Sequence, residues 1–153
     1  MTAVLDIRGL TVALPSGADR TNAVSDLNLT LNAGEITCVV GESGSGKSLS
    51  ARAVMGLLPP KVAVTGGEIL FGDTNILTRS EPERRAMRGE DMAMVFQEPM
   101  TALNPLMTVG RQIDEVLRIH TKFGRKERRQ RILDLLTEVK LPTPERIIAS
   151  YPH

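Results

Sequence analysis

The sequence predicts an α/β fold, with short strands filling about the first 100 residues and helices taking over afterwards. Three observations predict it. Apolar residues alternate near the N-terminus, as they do on a half-buried strand. A glycine-rich octapeptide, residues 41–48, lies between a β-branched apolar run and a helix-forming stretch. Beyond about residue 105 the apolar residues recur at helical spacing.

In chain order, Val4, Leu5, Ile7, Leu10 and Val12 mark a first strand. PSGAD, residues 15–19, has turn chemistry, and Leu27, Leu29 and Leu31 mark the hairpin partner. Asn32, Ala33 and Gly34 turn the chain into Glu35–Val40, a glycine-bounded apolar run that suits a buried, parallel strand. LSARAVMGLL follows Ser48 as a helix, stopped by Pro59 and Pro60. A Gly66-Gly67 turn precedes a strand over Glu68–Phe71, and residues 81–88 suit a short helix with Pro82 in its first turn. Met92–Phe96 reads as one more apolar strand. Val109, Ile113, Val116 and Leu117 share one helical face, and Ile132, Leu135, Leu136 and Val139 share another within Arg125–Lys140, which Pro142 and Pro144 close.

Composition narrows the function classes. The 153 residues suffice for one domain with a core, 41% are hydrophobic and 24% charged. A net charge of +1 argues against a nucleic-acid binder. MTAVLDIRGL lacks the regions of a signal peptide, and no apolar run nears the roughly 18 residues that span a bilayer. The single cysteine, Cys38, sits inside ITCVV and reads as a small core residue. A cytoplasmic protein is the simplest expectation. GRKERRQR, residues 124–131, is basic but precedes an apolar helix face. Glu127 stands one turn before Arg131 as an ion-pair candidate, so the segment reads as a solvated helix face.

GESGSGKS fits G-x-x-x-x-G-K-[ST] with Gly41, Gly46, Lys47 and Ser48 at the defining positions. From average composition these four positions coincide by chance in about one chain of this length in a hundred or more. A glycine-rich loop can turn successive N–H groups inward as a nest for a polyphosphate, and the following helix adds its positive end. Lys47 supplies a mobile charge to the β- and γ-phosphates, and the Ser48 hydroxyl suits Mg²⁺. Glu42, Ser43, Gly44 and Ser45 complete the nucleotide-binding set. No Asn-Lys-x-Asp follows for guanine, and the D-x-x-G match at Asp6–Gly9 precedes the loop, in the wrong order for a GTPase.

MAMVFQEPMTALNP, residues 92–105, decides among phosphate-loop classes. It resembles the Q-loop of ABC-transporter ATP-binding subunits, and FQEPM-x-x-LNP, GESGSGKS and the final SYPH are similar to the dipeptide, oligopeptide and nickel import branch. The resemblance runs along the whole chain. It implies a P-loop ABC ATPase core with an antiparallel β-subdomain and the start of a helical subdomain, about residues 1–100 and about 101–153. It implies ATP and Mg²⁺ as ligands, with Gln97 joining Ser48 on the metal. It implies a permease met through the loop 97–106, a second ATP-binding subunit or domain, indirectly an extracytoplasmic solute-binding protein, and a place on the cytoplasmic face of the inner membrane. That branch stacks adenine on an aromatic residue after the first strand; here Leu14 stands near that place and no Phe, Tyr or Trp does.

The family's Walker B carboxylates, its signature motif and its switch histidine have no match among these residues. Glu98 follows Gln97 within the Q-loop and is a poor candidate for the general base, while His120 and His153 read as structural or solvated. No catalytic residue is therefore assigned. The expectation is an N-terminal part of a longer subunit that holds MgATP, folds marginally on its own and hydrolyses little. The alternatives are a non-catalytic nucleotide-binding remnant of such a subunit and, less consistent with the Q-loop, a phosphate-loop kinase.

Overall fold

The computed structural model describes residues 2–97 and 102–153. The chain divides into two compact units, Met1–Ala93 and Met94–His153.

The first unit is built on an antiparallel sheet of β1 (Ala3–Ala13), β2 (Asn22–Asn32), β3 (Ala63–Phe71) and β4 (Thr74–Asn75), in the order β2-β1-β3-β4. The alternation in the sequence becomes the register. Ile7 stands opposite Leu29 on one side and Ile69 on the other, and Val12 opposite Val24 and Val64. Leu10, Val12, Ile69 and Ile76 are the largest fully buried side chains, each worth about 1.5–3 kcal/mol of transfer free energy. Helix α1 (Lys47–Val54) closes the core with Ala53, and Leu49 and Val54 pack beside it. A short 3₁₀ turn, Ile76–Thr78, leads to α2 (Glu81–Met87). At the start of α2, Glu83 accepts from both the Ser80 backbone N–H at 2.8 Å and the Ser80 hydroxyl at 2.6 Å. Arg88, just past α2, donates to the Met55 carbonyl at 2.9 Å and so ties it to the end of α1.

Four expectations change here. Gly66 and Gly67 lie inside β3 and do not precede it. Gly67 has φ +88°, and a Cβ there would stand 2.5 Å from the Arg8 and Gly9 carbonyl oxygens, so the glycine permits an irregular close pairing with β1. Helix α1 stops before the prolines, through Gly56 N–H to the Ala53 carbonyl and Leu57 N–H to the Arg52 carbonyl. Residues 35–40 form no strand: Ile36 is 95% and Val40 91% exposed, and Cys38 is exposed rather than buried. Likewise Met92 makes only an isolated bridge with Arg88, residues 93–96 carry no ladder, and Val95 is 92% exposed. A strand exists only where a neighbour completes its hydrogen bonds, and among the described residues neither run has one.

The second unit holds α3 (Val109–His120), α4 (Arg125–Glu138) and α5 (Pro144–Ala149), each packed on the other two. Ile132 and Leu136 are its buried side chains. Val109, Ile113 and Leu117 are half-buried along one line of α3, whereas Val116 and Val139 are largely exposed, which narrows both predicted faces. The sequence pattern ended at Pro144, but that proline opens α5, where a missing N–H costs nothing. The Val109 N–H donates to the Ser150 carbonyl at 2.9 Å, which ties the start of α3 to the end of α5. Glu127 turns back to cap α4, accepting from the Gly124 N–H at 2.6 Å, and among the described residues no Glu127–Arg131 ion pair forms. Arg125, Lys126, Arg129 and Arg131 are exposed, a solvated face.

Candidate functional site

The glycine-rich loop grows out of the exposed segment 35–40 and ends in α1. Its tip is a turn in which the Ser45 N–H donates to the Glu42 carbonyl at 3.2 Å. Gly44 and Gly46 have φ of +80° and +97°, in the left-handed region that glycine enters most readily. At Gly46 a side chain is also excluded by space: a Cβ would stand 2.5 Å from the Ala23 carbonyl and 2.9 Å from Val24 Cγ2. Gly46 is buried there and serves as the N-cap of α1.

Lys47 is the first residue of α1, and the first helical bond of the loop runs from the Ser50 N–H to the Gly46 carbonyl at 2.8 Å. The N–H groups of Lys47, Ser48 and Leu49 precede it and have no partner within the helix. No acidic residue stands in that first turn to offset its positive end. Lys47 Nζ lies back over the loop, donating to the Gly41 and Glu42 carbonyls at 2.5 and 2.7 Å and to Ser45 Oγ at 3.3 Å. The Ser48 residue is exposed at the helix start. Arg20, which the sequence pattern did not single out, donates through its guanidinium to the Gly44 carbonyl. No motif marks it, because the contact joins residues 24 apart through the hairpin.

The turn, two left-handed glycines, the helix-start N–H groups without a partner inside the helix, and one lysine thus come together in residues 41–49. The model of the family described as "ABC transporter" matches residues 24–152. This chain belongs to the ABC transporter family. It is 45% identical over 151 residues to the peptidoglycan transport ATP-binding protein YejF of Agrobacterium fabrum, covering 98% of this chain and 28% of that one. It is 42% identical to the dipeptide transport ATP-binding protein DppD of Bacillus subtilis, covering 100% of this chain and 46% of that one. The chain thus spans less than half the length of these relatives. Among solved structures, the ATP-binding cassette MJ0796 in a post-hydrolysis state bound to ADP and Pi superimposes with a TM-score of 0.77. At 24% identity, over 97% of this chain and 61% of that one, it shows the shared fold.

Within this ABC transporter chain, residues 41–48 are one continuous segment of the first unit, while Gln97 is an exposed bend residue of the second. Glu98, Pro99, Met100 and Thr101, the start of the loop expected to meet a permease, lie outside the described residues. Beyond them, Asn104 is pinned by Gln112, whose Oε1 accepts from the Asn104 N–H at 2.9 Å and whose Nε2 donates to the Asn104 carbonyl at 3.0 Å. Leu14 is half-buried against the sheet core, and its N–H donates to the Thr21 carbonyl at 2.8 Å, closing the hairpin. His120 and His153 are exposed, the latter stacked on Tyr151 at a centroid distance of 5.8 Å. Among the described residues no helix is long and apolar enough to cross a membrane.

Proposed function

We propose that this chain supplies the phosphate-binding half of an ATP site in a peptide-type ABC importer, placed on the cytoplasmic face of the inner membrane. The observation that carries the reading is the donor nest itself: Gly44 and Gly46 in left-handed conformation leading into Lys47 at the start of α1. The names of its relatives, transport ATP-binding proteins for dipeptides and peptidoglycan, supply the transport context.

In this reading residues 41–46 receive the triphosphate on backbone N–H groups, and Lys47 releases the Gly41 and Glu42 carbonyls to reach the β- and γ-phosphate oxygens. The Ser48 hydroxyl and the Gln97 amide are the groups of this chain that would hold Mg²⁺, which would supply charge neutralisation at the phosphates. Leu14 offers an apolar edge to adenine. The loop 97–106 faces a permease and passes on the state of the nucleotide, a second ATP-binding subunit or domain completes the site, and an extracytoplasmic binding protein delivers solute. No general base is assigned in these residues, so the chain alone binds MgATP without sustained turnover. Titration with a fluorescent ATP analogue tests the reading. Lys47→Met should weaken binding at least about tenfold, since a charge-assisted phosphate contact is lost. Equal affinity in the variant would refute it. Sustained turnover by the 153-residue chain would refute the half-site assignment and the non-catalytic alternative alike.

A further inference from the structure

The return arm of the β1–β2 hairpin touches the phosphate loop at two places. The Arg20 guanidinium donates to the Gly44 carbonyl, and Ala23 and Val24 stand against Gly46. Gly44 and Gly46 are the two residues of the loop with left-handed φ. Glycine has the widest conformational freedom of any residue, so a loop built on it loses the most entropy when a ligand orders it. Both such positions here are held by residues 20–24 before any ligand arrives.

The Gly44–Ser45 peptide is held at both ends. Its carbonyl accepts from Arg20, and its N–H donates to the Glu42 carbonyl at 3.2 Å. The second bond is long, so the charge-assisted one is the firmer of the two. Nothing crowds Gly44, since a Cβ there would meet no atom within 4 Å, and its conformation is therefore not set by packing. Arg20 is itself exposed and fills no space in the core.

We propose that Arg20 is a positioning residue of the phosphate loop, a latch from the hairpin that presets the Gly44 turn for any polyphosphate regardless of the base attached. The inference rests on the phosphate-loop reading above. A latch of this kind acts equally on every ligand that fills the nest, and it works through the hydrogen bond to Gly44 rather than through attraction of the guanidinium to the ligand.

The test is calorimetric titration of the full chain with ATP and with inorganic pyrophosphate, for the wild type, Arg20→Met and Arg20→Lys, at low salt and at about 1 M salt, where attraction between exposed charges is screened. Met keeps the aliphatic stem without a donor, and Lys keeps a donor on a stem long enough to approach the Gly44 carbonyl. The expected result is that Arg20→Met weakens both ligands by the same factor, about five- to tenfold, at either salt. Arg20→Lys should then bind at least about threefold more tightly than Arg20→Met at both salt concentrations. The latch is overturned if Arg20→Met leaves both ligands unchanged, if it weakens ATP alone, if its loss disappears at high salt, or if Arg20→Lys is as weak as Arg20→Met. Failure of the wild type to bind pyrophosphate would instead overturn the phosphate-loop assignment beneath it.

Discussion

Arg128 Nε donates to Asp114 Oδ1 at 2.7 Å, joining the middle of α3 to the first turns of α4. The arginine side chain is 16% exposed and the aspartate 37%, and the same guanidinium also donates to the Phe123 carbonyl at 2.9 Å. One side chain therefore fixes both the crossing of two helices and the turn between them. Replacing Asp114 with Asn should cost about 1 kcal/mol of stability, the upper end for a partly exposed pair. A double-mutant cycle with Arg128→Met, read by thermal unfolding, should return a coupling energy of at least about 0.5 kcal/mol; additive losses would mean the pair contributes nothing.

Gly46→Ala should disable the site through the loop backbone. The substitution puts a β-carbon on a residue at φ +97° and 2.5 Å from the Ala23 carbonyl. Neither atom can yield as the end of a flexible side chain could, so loop and β2 must part. Stability should fall by about 2–3 kcal/mol, and ATP binding should fall further than that loss explains. Parallel melting curves and nucleotide titrations check both parts, and unchanged binding in the folded variant would contradict the site.

The roles proposed for Ser48 and Gln97 should show as metal dependence. If the Ser48 hydroxyl holds Mg²⁺, Ser48→Ala weakens MgATP about tenfold and leaves metal-free ATP unchanged. If the Gln97 amide shares that metal, Gln97→Ala weakens MgATP and likewise spares metal-free ATP. Loss of metal-free binding in Ser48→Ala would point to a loop defect instead.

Glu83 governs an acid-side stability change. The Ser80 hydroxyl and backbone N–H, then Arg79, lower its pKa from 4.5 to about 2. The folded state thus holds its proton less tightly than the unfolded one. The contribution is full above pH 4.5 and is lost as pH falls toward 2. Glu83→Gln, measured by melting temperature against pH, should flatten the curve between pH 4.5 and 2. Glu81, lowered mainly by its hydrogen bond from Arg88, shifts in the same sense and leaves a residual slope.

Much of this protein is legible one residue at a time. The alternation of Leu5, Ile7, Leu10 and Val12 placed β1, and G-x-x-x-x-G-K-S placed the loop, because both patterns encode short-range geometry. The helical faces were legible only in part, since Val116 and Val139 fit the period but stay largely exposed among the described residues. The apolar runs at 35–40 and 93–96 carry the composition of strands, yet strand formation depends on hydrogen-bond partners that local composition cannot supply.

What the sequence by itself determined is the class of the chain and the place of its glycine-rich loop, because glycine, lysine and serine at that spacing act through local backbone chemistry. Only the tertiary structure decided how that loop is held. The close approach of Gly67 to Gly9, the seat of Gly46 on Ala23, and the reach of Arg20 to Gly44 all join residues distant in the chain. Periodicity records which side chains leave water, whereas such contacts exist only once the sheet and hairpin bring the partners together.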